Sequence, residues 1–356
     1  MTTENSTVQS QPVDQEGILF IGLDLGTSQS AIATSSGIRV NTASVVGWPK
    51  DLISYKLHQK AILFGDECVR NRMSVDSYYP LEKGVIAASG KGKKTEEDQR
   101  KAQAPIEFIR HMLSLGEPKE NQQVYLVAGA PAEASVQDKQ AIIDAAAGMA
   151  NAVLVVSQPF LVAYGLGMYG FSLVVDIGAG TANICRMHGT LPDETDQKTL
   201  FKAGNYIDDV LFDLLKAKYP DANLTKQMAV QLKEKYAFVG QMNEQISVEL
   251  LVDGKPARCD ITREMKDACE SILPDTTATV RSLITSFDPD FQADIRGNIL
   301  LAGCVSRMKG LPQAIEQSLA DLGPVLVKTV PDPVFASAVG ALKLAQDMPL
   351  SEWQHM

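Results

Sequence analysis

The sequence contains few of the residues that mark metal centres, disulfide frameworks or export. Five cysteines occur among 356 residues, an odd number, and no two of them form a C-x-x-C pair. The four histidines are scattered without metal-ligand spacing. The first residues, MTTENSTVQSQPVDQEG, hold no apolar export signal, so reduced and mostly buried thiols are expected. A zinc site and a Cys/His nucleophile are not supported, and we expect a cytoplasmic protein.

Positive charge is also scarce. The chain has 33 Lys+Arg against 43 Asp+Glu, a formal net charge of −10, and no long Lys/Arg-rich run. Because a protein neutralises nucleic-acid phosphates with clustered positive charge, we expect no nucleic-acid partner. Apolar residues make up 45% and charged residues 21%, which is ordinary for a globular protein with a large core. At about 100–200 residues per domain, the length predicts two domains or one divided fold.

One long stretch lacks charge altogether. No charged residue occurs over residues 145–175, which is longer than a membrane-crossing helix requires. However, Asn151, the S-Q-P step at 157–159 and several glycines interrupt it. The pattern predicts a buried strand, helix and strand, so we expect no direct membrane insertion.

Hydrophobic periodicity predicts strands that alternate with helices and hairpins. Ser135, with Asp138 three residues later, predicts the cap of a helix over about 136–150. Residues 245–252 and 255–261, joined by an Asp-Gly pair, predict a β-hairpin. The Asp-Pro pair at 332–333 predicts the start of the last helix. The chain is therefore expected to be α/β, with mixed sheets.

A weak internal repeat is the most informative feature. Residues 21–32 (IGLDLGTSQSAI) are similar to residues 174–184 (VVDIGAGTANI). Each segment has an apolar strand, an aspartate, a glycine-containing turn and a second strand. The aspartates, Asp24 and Asp176, are about one domain length apart. The repeat predicts two similar α/β domains, each presenting a strand–turn–strand hairpin to a shared cleft.

The residues of these hairpins suit phosphate binding. The glycines allow backbone N–H groups to approach phosphate oxygens closely; they are Gly26, Gly178 and Gly180. Three side-chain hydroxyls add further hydrogen-bond donors, those of Thr27, Ser28 and Thr181. Asp24 and Asp176 would repel a polyphosphate unless a cation lay between them. They therefore imply Mg²⁺, held largely through water. The alternative is a pair of tight β-turns with aspartates at their starts.

Both motifs together resemble the phosphate loops of the actin/heat-shock ATPase/sugar-kinase superfamily, and of its bacterial actin-like ATPases in particular. Residues 298–311 (NILLAGCVSRMKGL) are similar to its adenosine motif. Residues 204–209 and 231–236 fall where bacterial actins contact ribose and adenine, which puts Glu234 near the ribose and Lys233 beside the base. The resemblance implies ATP/ADP binding by Gly26, Thr27, Ser28, Gly178, Ala179, Gly180, Thr181, Asn183, Asp208, Lys233, Glu234, Gly303, Cys304 and Met308.

The same resemblance implies an actin-like fold. Two similar ribonuclease H-like domains, with mixed sheets flanked by helices, would enclose a nucleotide cleft, and each would carry a small inserted subdomain. The implied bounds are a disordered tail at 1–17, domain I at 18–170 plus 340–356, and domain II at 171–339. The small subdomains would occupy about 50–105 and 206–284.

Three positions depart from the family pattern. Gly303 is followed by Cys304 where consecutive glycines are usual, which narrows the approach to the nucleotide. Bacterial actins usually place Glu at the position of Gln158, to polarise the attacking water. Asn183 stands where relatives often have an acid or His. Both amides can orient a water, but neither can accept its proton. The alternative for Gln158 is a cap on the helix that begins at Pro159.

The resemblance implies a filament-forming ATPase. Asp24 and Asp176 would hold Mg²⁺, Gln158 would position water, and hydrolysis would be slow until polymerisation improved alignment. Several short segments, including 44–50 and 156–165, are most similar to the bacterial actins that align magnetosomes. That branch implies homopolymers beside these organelles and a magnetosome-associated adaptor as partner. The alternatives are a small-molecule kinase, for which no acceptor base is evident, and an inactive nucleotide-binding adaptor.

Overall fold

The computed structural model describes residues 17–86, 95–242 and 244–353. Apart from Gly17, the predicted tail at 1–17 lies outside the described residues. The strands are β1 Ile18–Asp24, β2 Gln29–Thr34, β3 Arg39–Ala43, β4 Val46–Pro49, β5 Leu63–Phe64, β6 Val75–Tyr78, β7 Leu81–Glu82, β8 Val85–Ile86, β9 Gln123–Ala130, β10 Ala152–Ser157, β11 Ser172–Ile177, β12 Ala182–Met187, β13 Gln197–Leu200, β14 Ser247–Val252, β15 Lys255–Asp260, β16 Ile299–Ala302 and β17 Val327–Thr329. The helices are α1 Leu52–His58, α2 Gly65–Arg70, α3 Glu96–Ser114, α4 Val136–Ala146, α5 Gln158–Leu166, α6 Gly204–Lys218, α7 Lys226–Tyr236, α8 Thr262–Glu270, α9 Leu273–Thr285, α10 Gln292–Arg296, α11 Leu311–Ser318 and α12 Ala336–Asp347.

Two 5-stranded sheets share one topology. Their strand orders are β3-β2-β1-β9-β10 and β13-β12-β11-β16-β17. In each sheet the central strand pairs with one antiparallel strand on one side and one parallel strand on the other. Asp24 lies opposite Ala31, and Asp176 lies opposite Asn183, so the two aspartates occupy corresponding ends of the central strands. The expected pair of similar domains with mixed sheets is confirmed.

Smaller elements are inserted into each half. Between β3 and β9 stand the 3-stranded sheet β5-β4-β6, the β7–β8 pair and helices α1 to α3. Between β13 and α9 stand α6, α7, the β14–β15 hairpin and α8. The domain and subdomain bounds given above stay a prediction.

Helix α12 returns to the first sheet and packs against β1 and α5. A Cβ on Gly22 would lie 2.1 Å from the Ala338 carbonyl oxygen, and one on Gly340 would lie 1.8 Å from that of Leu161. These contacts require glycine, because no side chain fits at such a distance. The close seating fixes the strand that ends at Asp24.

Two local sequence signals, a helix cap and a hairpin turn, predicted the structure correctly. Ser135 and Asp138 form the predicted capping box, with the Asp138 N–H 3.1 Å from Ser135 Oγ. The β14–β15 hairpin turns through Asp253 and Gly254, both at positive φ. Helix α4 ends four residues before the predicted bound at 150, because Ala147 is extended.

The predicted start of the last helix at the Asp-Pro pair is wrong. Asp332 has a φ of 48°, and α12 begins at Ala336. The Asp332 carboxylate does not cap the helix and forms an ion pair with Arg39 instead. The tertiary contact therefore overrides the local capping signal.

The uncharged stretch folds into the core. It contributes the end of α4, then β10, α5 and most of β11. Among the described residues, no helix combines the length and apolar character needed to cross a membrane. Four cysteines are buried as expected, and Cys304 is exposed.

Candidate functional site

The two repeated aspartates lie close enough to interact electrostatically. Asp176 is buried, and burial together with the negative charge of Asp24 raises its pKa to about 8. Burial also raises the pKa of Asp24, against a hydrogen bond from Gln158 that lowers it. Two carboxylates that disfavour each other's ionisation form an acidic pair that a divalent cation would relieve. This donor set fits hydrated Mg²⁺, although no cluster of three or more His, Cys, Asp or Glu able to hold a metal occurs within the described ranges.

The glycine turns after β1 and β11 bring the two domains into contact. A Cβ on Gly180 would lie 2.2 Å from Thr27 Oγ1, so only glycine permits this approach. Thr27 Oγ1 accepts a hydrogen bond from the Gly84 N–H at 2.9 Å, which ties the first turn to the β7–β8 pair. The Gly178 N–H closes its own turn by donating to the Thr181 carbonyl oxygen. Ser28 is exposed, and Ala179 is partly exposed.

Gln158 projects into the cleft from the first turn of α5. Its Nε2 donates to Asp24 Oδ1 at 2.7 Å and to the Leu25 carbonyl oxygen at 3.2 Å. Its Oε1 accepts from Asn183 Nδ2 at 3.1 Å. The N-cap residue, Ser157, makes no side-chain cap bond, and the amide of Gln158 points toward Asp24 rather than back along the helix. The geometry supports a role in the cleft over the helix-cap alternative.

Asn183 fixes the orientation of that amide from the other domain. Its Oδ1 accepts from the Ala132 N–H at 3.1 Å and from Thr199 Oγ1 at 3.0 Å. A backbone N–H can only donate, so the Asn183 amide group must present its Nδ2 to Gln158. The carbonyl oxygen of Gln158 is therefore the atom that remains to accept a hydrogen bond from a water.

Further contacts join the domains beside this network. The Glu133 carboxylate accepts from the Thr199 N–H at 2.8 Å and from Lys198 Nζ at 2.9 Å. Sequence reasoning missed Glu133 and Thr199. Neither residue belongs to a motif, and 66 residues separate them. No local sequence pattern therefore predicts the contact.

The proposed ribose and adenine residues lie on α6 and α7. Lys233 Nζ donates to Asp208 Oδ2 at 2.7 Å and to the Gly204 carbonyl oxygen at 3.0 Å. Burial raises the pKa of Asp208, while the charge of Lys233 opposes that shift. Asp208 Oδ1 is buried without a partner among the described residues. Glu234 is exposed. Leaving a buried acceptor without a hydrogen bond costs free energy, so Asp208 Oδ1 is available to accept from a hydroxyl or amine of a ligand.

A further part of the predicted nucleotide site begins where β16 ends. Gly303 has a φ of 77°, and a Cβ there would lie 2.6 Å from Asp176 Oδ1. Cys304 opens a 3₁₀ turn with an exposed thiol, whose pKa is raised by partial desolvation and by the charges of Asp176 and Asp24. Met308 is different: its side chain is packed in the core of domain II and is 7% exposed. A nucleotide would meet its backbone more readily than its thioether.

Replacing Gly303 with alanine is expected to weaken nucleotide binding about tenfold or more, which corresponds to about 1.4 kcal/mol or above. The added methyl overlaps both Asp176 and the Ile177 carbonyl oxygen, so the cleft must distort. Titration with a fluorescent ATP analogue measures the loss. Gly189→Ala is the matched control, because Gly189 also has positive φ but has open space around it. Equal affinities in the two variants would contradict the placement of Gly303 in the nucleotide site.

Two sheets of one topology, with paired aspartates and glycine turns closing on a shared cleft, define an actin-like protein. The family model "MreB/Mbl protein" matches residues 19–352, and the chain belongs to that family. It is 38% identical to the actin-like protein MamK of Magnetospirillum gryphiswaldense, over 94% of this chain and 91% of that protein. It is 38% identical to MamK of Paramagnetospirillum magneticum, over 95% of both chains.

Solved structures agree with this assignment. The MamK double helical filament superposes with a TM-score of 0.88 at 38% identity, covering 93% of this chain and 99% of that chain. A non-polymerising MamK mutant bound to AMPPNP gives a TM-score of 0.72 at 37% identity, with the same coverage. MreB5 of Spiroplasma citri, at 18% identity and a TM-score of 0.74, shares the fold over 92% of this chain and 96% of its own.

Proposed function

We propose that this protein is a cytoskeletal ATPase that binds Mg-ATP between its two domains and polymerises into filaments. The observation that carries the proposal is the pair of matching hairpins, whose aspartates meet across one cleft. The similarity to MamK, whose solved structures include filaments that superpose with TM-scores of 0.88 and 0.81, supports the polymerising part of the proposal. By the same similarity, the filaments would lie in the cytoplasm beside magnetosomes and bind an adaptor protein.

Several residues of the cleft have distinct roles in this mechanism. Asp24 and Asp176 would hold hydrated Mg²⁺, which would supply positive charge to the bound polyphosphate. The turns at 26–28 and 178–181 surround the phosphates, and Asp208 Oδ1 accepts from the ribose or base. The Gln158 carbonyl oxygen orients the attacking water, with Asn183 holding the amide in place. Neither Gln158 nor Asn183 can accept a proton from the attacking water. Hydrolysis is therefore slow and depends on how well the water is aligned with the phosphate.

Nucleotide and assembly are coupled through cleft closure. Contacts such as Gln158 to Asn183 and Glu133 to Thr199 join the two domains in this structure. A nucleotide that bridges both hairpins favours the closed state, and a filament that accepts only closed subunits favours it again. Each ligand therefore raises the affinity for the other.

An inactive nucleotide-binding adaptor is the second candidate. It is favoured by the two amides, Gln158 and Asn183, and by Cys304 at the nucleotide wall. Such an adaptor would bind ATP without turnover and stay monomeric. A small-molecule kinase on the same scaffold would instead transfer phosphate to an acceptor.

Sedimentation separates these functions. We expect the wild-type protein to pellet with Mg-ATP or Mg-AMPPNP and to remain in the supernatant without nucleotide. Because a chain of net charge −10 repels itself, the pelleted fraction should rise with divalent cation and change with ionic strength. Nucleotide binding without pelleting at any salt concentration would favour the adaptor, and ATP use that requires an added acceptor would favour the kinase.

A further inference from the structure

A row of three polar side chains crosses the sheet of domain II beside the candidate site. Asp176 on β11 lies opposite Asn183 on β12, and Asn183 lies opposite Thr199 on β13. Residues directly opposite each other on neighbouring strands point to the same face of the sheet, with their Cβ atoms about 5 Å apart. The carboxylate assigned to the metal, the amide that orients Gln158 and the Thr199 hydroxyl therefore lie on one face of one sheet.

The middle member of this row uses its full hydrogen-bonding capacity. Asn183 Oδ1 accepts from the Ala132 N–H at 3.1 Å and from the Thr199 hydroxyl at 3.0 Å. Asn183 Nδ2 donates to Gln158 Oε1 at 3.1 Å and to Thr181 Oγ1 at 3.2 Å. An amide oxygen has two acceptor positions and an amide nitrogen has two hydrogens, so every position is occupied. Because Asn183 is 2% exposed, little water reaches it to replace a partner that is lost.

The direction of the Thr199 hydroxyl is fixed from domain I. Its oxygen accepts a hydrogen bond from the Glu133 N–H at 3.1 Å, and a backbone N–H can only donate. The hydroxyl hydrogen is therefore left for Asn183 Oδ1. The Thr199 N–H donates in turn to Glu133 Oε2 at 2.8 Å, so two hydrogen bonds hold Thr199 against Glu133. Without the hydroxyl, Ala132 would be the one remaining donor to Asn183 Oδ1 among the described residues.

The orientation of Gln158 depends on that of Asn183. Gln158 Nε2 donates to Asp24 Oδ1 at 2.7 Å and to the Leu25 carbonyl oxygen at 3.2 Å. A reversed Asn183 amide would place its oxygen against Gln158 Oε1, and two acceptors repel each other. The Gln158 amide cannot reverse to compensate, because its oxygen would then face the Asp24 carboxylate. A group that fixes the Asn183 amide therefore also fixes the Gln158 amide.

We propose that Thr199 is a positioning residue for ATP hydrolysis: it sets the Asn183 amide, and through it the Gln158 carbonyl oxygen that orients the attacking water. The inference rests on the proposed function and adds a residue to its site. Thr199 lies on an edge strand of domain II, whereas the N–H groups of Ala132 and Glu133 belong to domain I. The network that orients the water therefore needs both domains.

Thr199→Val tests the proposal, because valine has a shape close to that of threonine and suits a strand but has no hydroxyl. Phosphate release at saturating Mg-ATP should fall about fivefold, the factor equivalent to one hydrogen bond of about 1 kcal/mol. Thr199→Ala removes the same hydroxyl with a smaller side chain and should show the same loss. Thr199→Ser keeps the hydroxyl and should release phosphate as the wild type does.

A second background separates positioning from a purely structural role. Gln158→Ala leaves no amide for Asn183 to orient, so adding Thr199→Val to it should not change the rate of phosphate release further. If Thr199 only held the two domains together, the same substitution would slow both backgrounds by the same factor. Single-turnover measurements with radiolabelled ATP resolve the low rates of these variants.

Lys198→Met is the matched control. Lys198 is the neighbour of Thr199 on β13, and its Nζ also contacts Glu133, with 2.9 Å to Oε1. The side chain of Lys198 is 51% exposed, and an ion pair at such a position contributes little free energy. The substitution changes a contact between the domains but leaves the Thr199 hydroxyl in place, so its turnover should equal that of the wild type.

Four results would overturn the positioning role of Thr199. They are wild-type turnover in Thr199→Val, no recovery in Thr199→Ser, an equal loss in the Gln158→Ala background, or a loss as large in Lys198→Met. A wild type that binds Mg-ATP and polymerises but releases no phosphate would instead overturn the proposed ATPase activity itself.

Discussion

The substitution Asp176→Asn is expected to reduce Mg-dependent ATP turnover about a hundredfold or more, which corresponds to losing about 2.7 kcal/mol of transition-state stabilisation. Asparagine keeps the shape of the side chain at a position that is 9% exposed, but it removes a charge that attracts the cation. Asp24→Asn should act in the same direction. Phosphate release at saturating Mg-ATP measures the loss. Undiminished Mg-dependent turnover in both variants would remove the assignment of these carboxylates to the metal.

The same substitution should stabilise the nucleotide-free protein. Burial and the neighbouring Asp24 raise the pKa of Asp176 to about 8, well above the usual range of a carboxyl group. A carboxyl group with a raised folded pKa costs stability as the pH rises from the unfolded value through the folded one. Asparagine has no charge to bury, so Asp176→Asn should have the higher Tm at neutral pH. Opposite changes in Tm and turnover distinguish a functional carboxylate from a structural one.

Gln158→Glu is expected to speed phosphate release by about 10²-fold. General-base assistance is worth about 10²–10⁴-fold, and phosphoryl transfer uses it less than alignment, so the lower end applies. The effect should appear in polymerised protein, and filament lifetime should shorten as ADP accumulates. Measured rates for polymerised wild type, Gln158→Glu and Gln158→Ala decide the role. If all three rates were equal, another group would have to position the water.

The geometry adds a condition to this prediction. Glutamate has no N–H to donate to Asp24 Oδ1, which lies 2.7 Å from the amide nitrogen in the wild type. The variant therefore places two carboxylates together, and its turnover should depend more steeply on Mg²⁺ concentration than that of the wild type. Asn183→Ala should lower the turnover measured as phosphate release, because the hydrogen bond from Asn183 Nδ2 orients the Gln158 amide.

The sequence predicts best what its own local patterns enforce. The repeat around Asp24 and Asp176 predicts two matching domains. The pattern of an apolar strand, an aspartate and a glycine turn lies within a short stretch of sequence, so it can be recognised without knowledge of distant contacts. The Asp-Gly turn of the β14–β15 hairpin and the Ser135 cap succeed for the same reason. The site residues named from the family resemblance stay a prediction.

What the sequence does not predict depends on contacts between distant residues. Asp332 has the local signal of a helix cap but pairs with Arg39 across the fold. Lys233 has the character of a base-contacting cation but is held by Asp208. The hydrogen bonds that orient Gln158 come from Asn183, on a strand of the other domain. No periodicity contains these pairings, because they form only when residues distant in the sequence come together in the folded chain.

The central claim is that nucleotide in this cleft drives assembly, and electron microscopy of the purified chain tests it most directly. With Mg-ATP the wild type should form long filaments, while Asp176→Asn at the same concentration should leave few or none. Subunits in a reconstructed filament should have the closed cleft, with Gln158 and Asn183 in contact. Only monomers or closed rings, across salt and divalent-cation conditions, would contradict the account.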